Sequence, residues 1–431
     1  MSSSDLKLKV KTNRKHYLFV KNVFEIIGTN YQLTLDDRCR FPEVYVTDKE
    51  VKYSKKRFTR AYRTFSEKDK SSRKVIPVVN QFIDHLHGAI KWLCMEQRVA
   101  FIQKWYWPKK AEFVAAVTHD IDETKPSILQ SFHILRFLLK RKRFAKLVRF
   151  LFSSKSWDVN KILEIDDTLG IKASFFILVN QLKEKDAKKI IEEIVKRGHE
   201  VCLHGEFSRY KKEPKTLHED LALMNSKSEI CGFRSHYFKF EVPLLWEILE
   251  RTRTMKYDSS LFCPENPGFR NGLAFPFYPN DLSHILEFPP AFMDASFFSA
   301  RKNLEDLDGA KKILKLLIEN VRKHHGLLVL LWHNDKLIER SCYPEVLPFF
   351  RKTIEELRKE KAYFMRLIEI YEWWKQREKT KIIIKKCGKR FRLRVSSLRN
   401  LYIRVFLPRV NIMSKKREVW LDASKGIDTT L

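Results

Sequence analysis

The sequence predicts an α/β protein in which a parallel sheet is covered by helices, and three observations predict it. Residues 111–376 carry a series of short apolar runs: FVAAVTH (113–119), KASFFILV (172–179), EVCLHG (200–205), EICGFRS (229–235), HILEFPP (284–290), GLLVLLWH (326–333) and AYFMRL (362–367). Amphipathic stretches such as AKKIIEEIVKRG and VLPFFRKTIEELRKEK lie between several of them. Polar residues gather where the runs end: Asp120 and Asp122, His204, Arg234 and His333. Continuous apolar strands separated by helices mark a parallel sheet buried on both faces. At this length the choice is a β/α barrel or a doubly wound sheet, and both collect their active sites at the strands' C-terminal ends. The chain therefore reads as an enzyme.

The flanking regions read differently. Residues 1–105 mix strand-like runs (KHYLFV, YQLTL, EVYVT) with a polar stretch, EKDKSSRK, and a helical segment that begins VNQFIDHLHG; they predict a small α/β accessory domain. Residues 381–431 hold 14 Lys and Arg against 3 Asp and Glu, and KIIIKK, KRFRLRV, LYIRVFL and REVWLD alternate with period two. That is a basic β-rich appendage, fit either for an anionic partner or for a solvated basic face. Within the central region, residues 125–157 contain nine Lys and Arg, no acid, and Phe and Leu throughout. Two readings of this insertion stand: a basic amphipathic helix on an anionic membrane surface, or a helical insertion packing its apolar stripe on the sheet.

A length of 431 residues suggests two or three domains, and 44% hydrophobic residues, with 32 Phe, can bury a large core. No run approaches the roughly 20 apolar residues of a membrane span, and MSSSDLKLKVKTNRKHYLFV lacks the apolar region of a secretory signal. The cysteines at 39, 94, 202, 231, 263, 342 and 387 form no close pairs, which argues against a disulfide frame or zinc knuckle. The expectation is a cytoplasmic protein, with peripheral attachment to the inner face of the membrane as an addition. The formal charge of +31 suits nucleic acid, an anionic membrane or an acidic polymer, or simply solvated Lys and Arg. No zinc finger, P-loop or RNA-recognition signature accompanies it, so no specific nucleic acid is expected.

The chemistry concentrates in four places. THDID (118–122) ends an apolar run in two carboxylates, Asp120 and Asp122. Two such groups close together call for a cation between them or a proton on one, which suggests a divalent metal with a general base beside it. His204 follows the run EVCL, Arg234, His236 and Tyr237 follow CGF, and Trp332 and His333 leave GLLVLL. Any one of these alone is more often a satisfied structural residue; four strand ends on one rim are not.

Taken together, THDID, GIKASFF, GHEVCLH, GFRSHY, YDSS and LLWH, in that order, resemble the polysaccharide deacetylase family (NodB homology, carbohydrate esterase family 4). The resemblance is nearest to a branch with an HDxD first motif and an N-terminal extension, and it covers roughly 111–376. It implies a distorted β/α barrel, a bound divalent metal, most often zinc, and hydrolysis of N- or O-acetyl groups on sugars. By that resemblance Asp120 is the general base, Asp122 and His204 are metal ligands, Arg234 steadies the base and His333 is the general acid. His199 reads as structural. Two departures matter: one extra residue separates Asp120 from Asp122, and Ser208 stands where the family has a second histidine. His236, where the family has proline, is the candidate third ligand. Tyr237 and Trp332 are candidates to line the sugar site, and Asp258 to orient an imidazole. The implied substrate is an acetylated saccharide or a lipid-linked glycan. The rival reading is a catalytically inactive carbohydrate-binding barrel, favoured by the missing histidine.

Overall fold

A computed structural model describes residues 8–66, 75–152, 158–224, 229–280, 283–338, 341–388, 390–408 and 418–431. The polar stretch 67–74 and the last residues of the basic insertion, 153–157, lie outside the described residues. At the N-terminus β1 (Leu8–Thr12) pairs in parallel with β2 (Tyr31–Leu35) and antiparallel with β3 (Glu43–Val46), which turns back into β4 (Lys49–Glu50). Helices α1 (Tyr17–Ile27), α2 (Lys55–Ser66) and α3 (Val78–Glu96) accompany this sheet. KHYLFV, expected as a strand, instead enters α1. Phe19, Val20, Val23, Phe24 and Ile27 are buried at helical spacing, a period that a six-residue window does not reveal. Gly28, at φ 70°, ends the helix by donating its N–H to Phe24 O.

The chain then runs through β5 (Phe101–Lys104) into the central sheet, whose strands alternate with helices. In order these are β6 (Val114–Ile121), α4 (Ile128–Lys140), α5 (Phe144–Phe152), α6 (Val159–Thr168), β7 (Ser174–Ile177), α7 (Glu184–Lys196) and β8 (Glu200–Gly205). Next come α8 (Phe207–Lys212), α9 (Lys215–Met224), β9 (Gly232–Ser235), α10 (Leu244–Arg251), β10 (Tyr257–Asp258), β11 (Leu286–Glu287) and β12 (Pro290–Met293). A small hairpin, β13 (Phe298–Ser299) with β14 (Leu304–Glu305), leads to α11 (Leu307–Lys323), β15 (Leu327–His333), α12 (Val346–Lys359), β16 (Tyr363–Phe364) and α13 (Leu367–Lys379).

The sheet order is β11-β10-β9-β8-β7-β6-β15-β12, with β16 also on β6, and each of these pairs is parallel. Its two edge strands, β11 and β12, are separated in sequence only by Phe288 and Pro289. Three residue steps reach at most about 11 Å, so the edges must come close and the sheet must curl. The fold is thus the distorted β/α barrel expected, with a seam between β11 and β12 where no strand pairing is found among the described residues.

Alternation sorts the side chains. Val117, Phe175, Ile177, Val201, Leu203, Phe233, Leu328 and Leu330 join the core beneath the helices. Val114, Ala116, Phe176, Cys202, Tyr257 and Val329 join a second core that extends into the terminal regions. The C-terminal strands are β17 (Ile382–Cys387), β18 (Arg390–Val395), β19 (Tyr402–Phe406), β20 (Glu418–Asp422) and β21 (Ile427–Thr430). In β18 the arginines face out and Phe391, Leu393 and Val395 are buried. The region is not a separate appendage: β19 pairs antiparallel with β5, so one sheet, β20-β19-β5, crosses the divisions expected at 105 and 381. Arg377 of α13 locks the junction, donating to the carbonyls of Glu25, Ile26, Lys104 and Trp105.

Candidate active site

Strand parity determines which side chains reach the barrel mouth. In β6, Val114, Ala116, Thr118 and Asp120 share the inner face, while His119 points to the helices and meets Asp166 at 3.0 Å. In β15 the register pairs His333 with Asp120, and both sit at the C-terminal end of adjacent parallel strands. His204, in β8, is register partner of Arg234 in β9.

Asp120 is buried and held on one oxygen. Arg234 Nη1 donates to its Oδ1 at 2.6 Å and to Thr118 Oγ1 at 3.0 Å. The same guanidinium reaches Ser259 O and Ser259 Oγ, and lies 3.9 Å from the centre of the Phe176 ring. Arginine's planar fork suits such multiple anchoring. The other oxygen, Oδ2, is 3.6 Å from His204 Nε2.

His204 Nδ1 lies 3.0 Å from the Arg234 carbonyl, which only accepts, so Nδ1 carries the hydrogen and Nε2 turns to the carboxylates. Asp122 Oδ1 is 3.2 Å from that Nε2, yet it is buried without an aligned hydrogen-bond donor. His236 stands beside them, its ring 5.1 Å from that of His204. One ligand atom from each of Asp122, His204 and His236 falls within 4.8 Å of the others. Two imidazoles and a carboxylate are the donor types of a catalytic zinc site that keeps one position open, and an engaged Nδ1 is the usual outer support of such a ligand. The residues present fit a divalent metal.

The electrostatics agree. Burial works against ionising Asp122, but the contact and charge of His204 override it and hold the carboxyl well below its usual range. Burial likewise opposes a charge on His204, and Asp120 and then Asp122 outweigh it, raising its pKa. Burial and the neighbouring His204 lower that of His236. The pocket thus collects one positive charge between its carboxylates, as a proton on His204 or as a cation.

On the other side, His333 Nδ1 is 2.6 Å from Asp294 Oδ1, and the His333 N–H donates to Asp294 Oδ2 at 2.8 Å. Burial would lower the imidazole pKa; Asp294 overcomes it and pushes the value up to about 9. Asp294 went unnoticed in the sequence because it follows PAFM, a run hidden behind the prolines of HILEFPP.

Two expectations change. Trp332 does not line the mouth: its neighbour His333 takes the inner face, so Trp332 is fully buried against Phe292, Phe349 and Phe350. Asp258 orients no imidazole; it accepts from Trp246 Nε1 at 3.0 Å and Ser260 Oγ at 2.5 Å, and faces the buried Glu287. The imidazole partner is Asp294. Tyr237 is 60% exposed and stacks on His236 at 3.9 Å. Ser208 lies exposed on α8, and His199 Nδ1 accepts from the Ala173 N–H in the core. Glu206, also unanticipated, brings Oε1 within 3.7 Å of His236 Nδ1.

No family model and no curated protein matches this chain. Solved structures do resemble it. A candidate polysaccharide deacetylase from Mycobacterium smegmatis is 16% identical, over 63% of this chain and 93% of that one, at a TM-score of 0.45. The peptidoglycan deacetylase PdaC from Bacillus subtilis is 15% identical over 63% and 96%, with a TM-score of 0.31. A 4-alpha-glucanotransferase from Thermococcus litoralis is 14% identical over 60% and 40%, with a TM-score of 0.39. The chemistry of this chain rests on its own side chains.

Proposed function

We propose that this protein is a metal-dependent hydrolase that removes N- or O-acetyl groups from a carbohydrate or a surface-polysaccharide precursor. The observation that carries the reading is the approach of Asp122, His204 and His236 beside an Asp120 whose outer oxygen faces the same point. The motif order gives the substrate class.

Asp122, His204 and His236 would hold the metal, most often zinc in such a donor set. When bound, it would polarise an acyl carbonyl and lower the pKa of water from about 15.7 toward 7. Asp120 is the group positioned to take a proton from attacking water, through the oxygen that Arg234 leaves free. Arg234 contributes by fixing that carboxylate's orientation. His333, protonated near neutral pH through Asp294, would give its Nε2 proton to the departing amine or alkoxide. Tyr237 offers an exposed ring beside His236 for a sugar face.

The test is metal content together with acetate release from a panel of acetylated sugars. Asp120→Asn should cut turnover by about 10²–10⁴-fold while leaving bound metal intact, and unchanged turnover refutes the assignment. His204→Ala and His236→Ala should each lower metal content; a His236→Ala protein with full metal rules out the third ligand.

A further inference from the structure

The link from Asp122 to α4 is five residues long, and α4 and α5 form a hairpin over 128–152. One side of the hairpin is spent on the barrel. Phe137 and Leu138 are buried, Phe137 with its ring 5.1 Å from that of Tyr343. Arg143 donates to Cys342 O and Glu305 Oε1, and Lys146 to Ser341 O. These anchors lie in the segments after β15 and β13, so the hairpin is fixed to the same rim as the site.

The other side is also apolar. Ile128, Leu129, Phe132 and Leu139 of α4 and Phe144, Val148 and Leu151 of α5 are each at least half exposed. At 3.6 residues per turn, Ile128, Phe132 and Leu139 fall within about 40° on the helix, and Phe144, Val148 and Leu151 follow the i, i+4, i+7 pattern of a single face. Lys125, Arg136, Lys140, Arg141 and Lys142 are exposed around these stripes. A helix with two apolar faces needs two partners, and only the first is the barrel.

We propose that the α4–α5 hairpin docks this protein on an anionic lipid bilayer, setting the barrel mouth at the headgroup level. Charge selects the occupant. Residues 128–152 carry seven Lys and Arg and no acid, and Arg136, Lys140, Arg141 and Lys142 among them are exposed, so a second copy of the hairpin would set like charge against like charge. An anionic bilayer meets both features, apolar rings entering the acyl boundary and cations resting on headgroups. Docking does not depend on the hydrolase reading, and its test needs no turnover.

The full chain is sedimented with phosphatidylcholine vesicles, with and without 30 mol% phosphatidylglycerol. Expected is at least tenfold stronger binding to the anionic vesicles. Phe132→Ser with Phe144→Ser, which alters no charge and touches only exposed positions, should reduce it at least tenfold. Lys140→Glu with Lys142→Glu should abolish the preference for anionic lipid. Circular dichroism checks that each variant is folded. The proposal is overturned if the Phe variant binds as wild type, since binding is then diffuse charge alone. It is equally overturned if no vesicle sediments the protein, or if the Phe variant instead dissolves a concentration-dependent dimer seen by analytical ultracentrifugation.

Discussion

Asp120 and Asp294 are the same kind of side chain given opposite company. Arg234 occupies one oxygen of Asp120 and leaves the other toward His204, whereas both oxygens of Asp294 are taken by His333. The first arrangement suits a base and the second makes an acid of its neighbour. With the His333 pKa raised to about 9, acetate release should fall as pH climbs through that value. Asp294→Asn should move the alkaline limb down toward the ordinary imidazole value of about 6.5; a limb that stays put detaches it from His333. The same shift bears on stability. A raised folded-state pKa stabilises fully below about 6.5, and that contribution is lost as pH rises through about 9. The catalytic candidates were legible in the sequence because each closes an unbroken apolar run. Asp294 was not, because its strand is only four residues long and opens on the second of two prolines, Pro289 and Pro290, and Asp258 stands out only as part of a motif.

At the scale of the strand, parity decides what a motif means. HD in β6 and WH in β15 are adjacent residues with opposite fates: His119 and Trp332 serve the helix layer, Asp120 and His333 the mouth. Composition cannot distinguish them; knowing which register faces inward can. Gly205 tests this arrangement. A Cβ there would sit 2.4 Å from a Phe233 ring carbon and 2.6 Å from one of Tyr210. Gly205→Ala should therefore destabilise the fold by about 1–3 kcal/mol and, by shifting β8, weaken metal binding at His204. Denaturant midpoint and metal titration read the two effects. The central strands were visible as runs longer than the turns between them, while KHYLFV was too short to declare its period.

For the whole molecule, the barrel and its flanks are one structure. Arg377 gathers carbonyls from the end of α1 and from β5, and Lys104 returns the favour to the carbonyls of Arg377, Glu378 and Thr380. A composition-based division at 105 and 381 misses this because pairing between distant strands leaves no local mark. That no helix among the described residues is long and apolar enough to cross a membrane leaves the exposed hairpin face as the apolar surface to account for. The seam has its own consequence. A cylinder fastened all round must come apart everywhere at once, but one with an unlaced edge can open from that edge. Amides of β12 should thus trade hydrogen for deuterium first, since Glu287 of β11 is bridged on its outer side to Phe277, and those of β6 and β15, laced on both sides, last. Mass spectrometry of timed digests would display that sequence, and uniform exchange around the ring would contradict it.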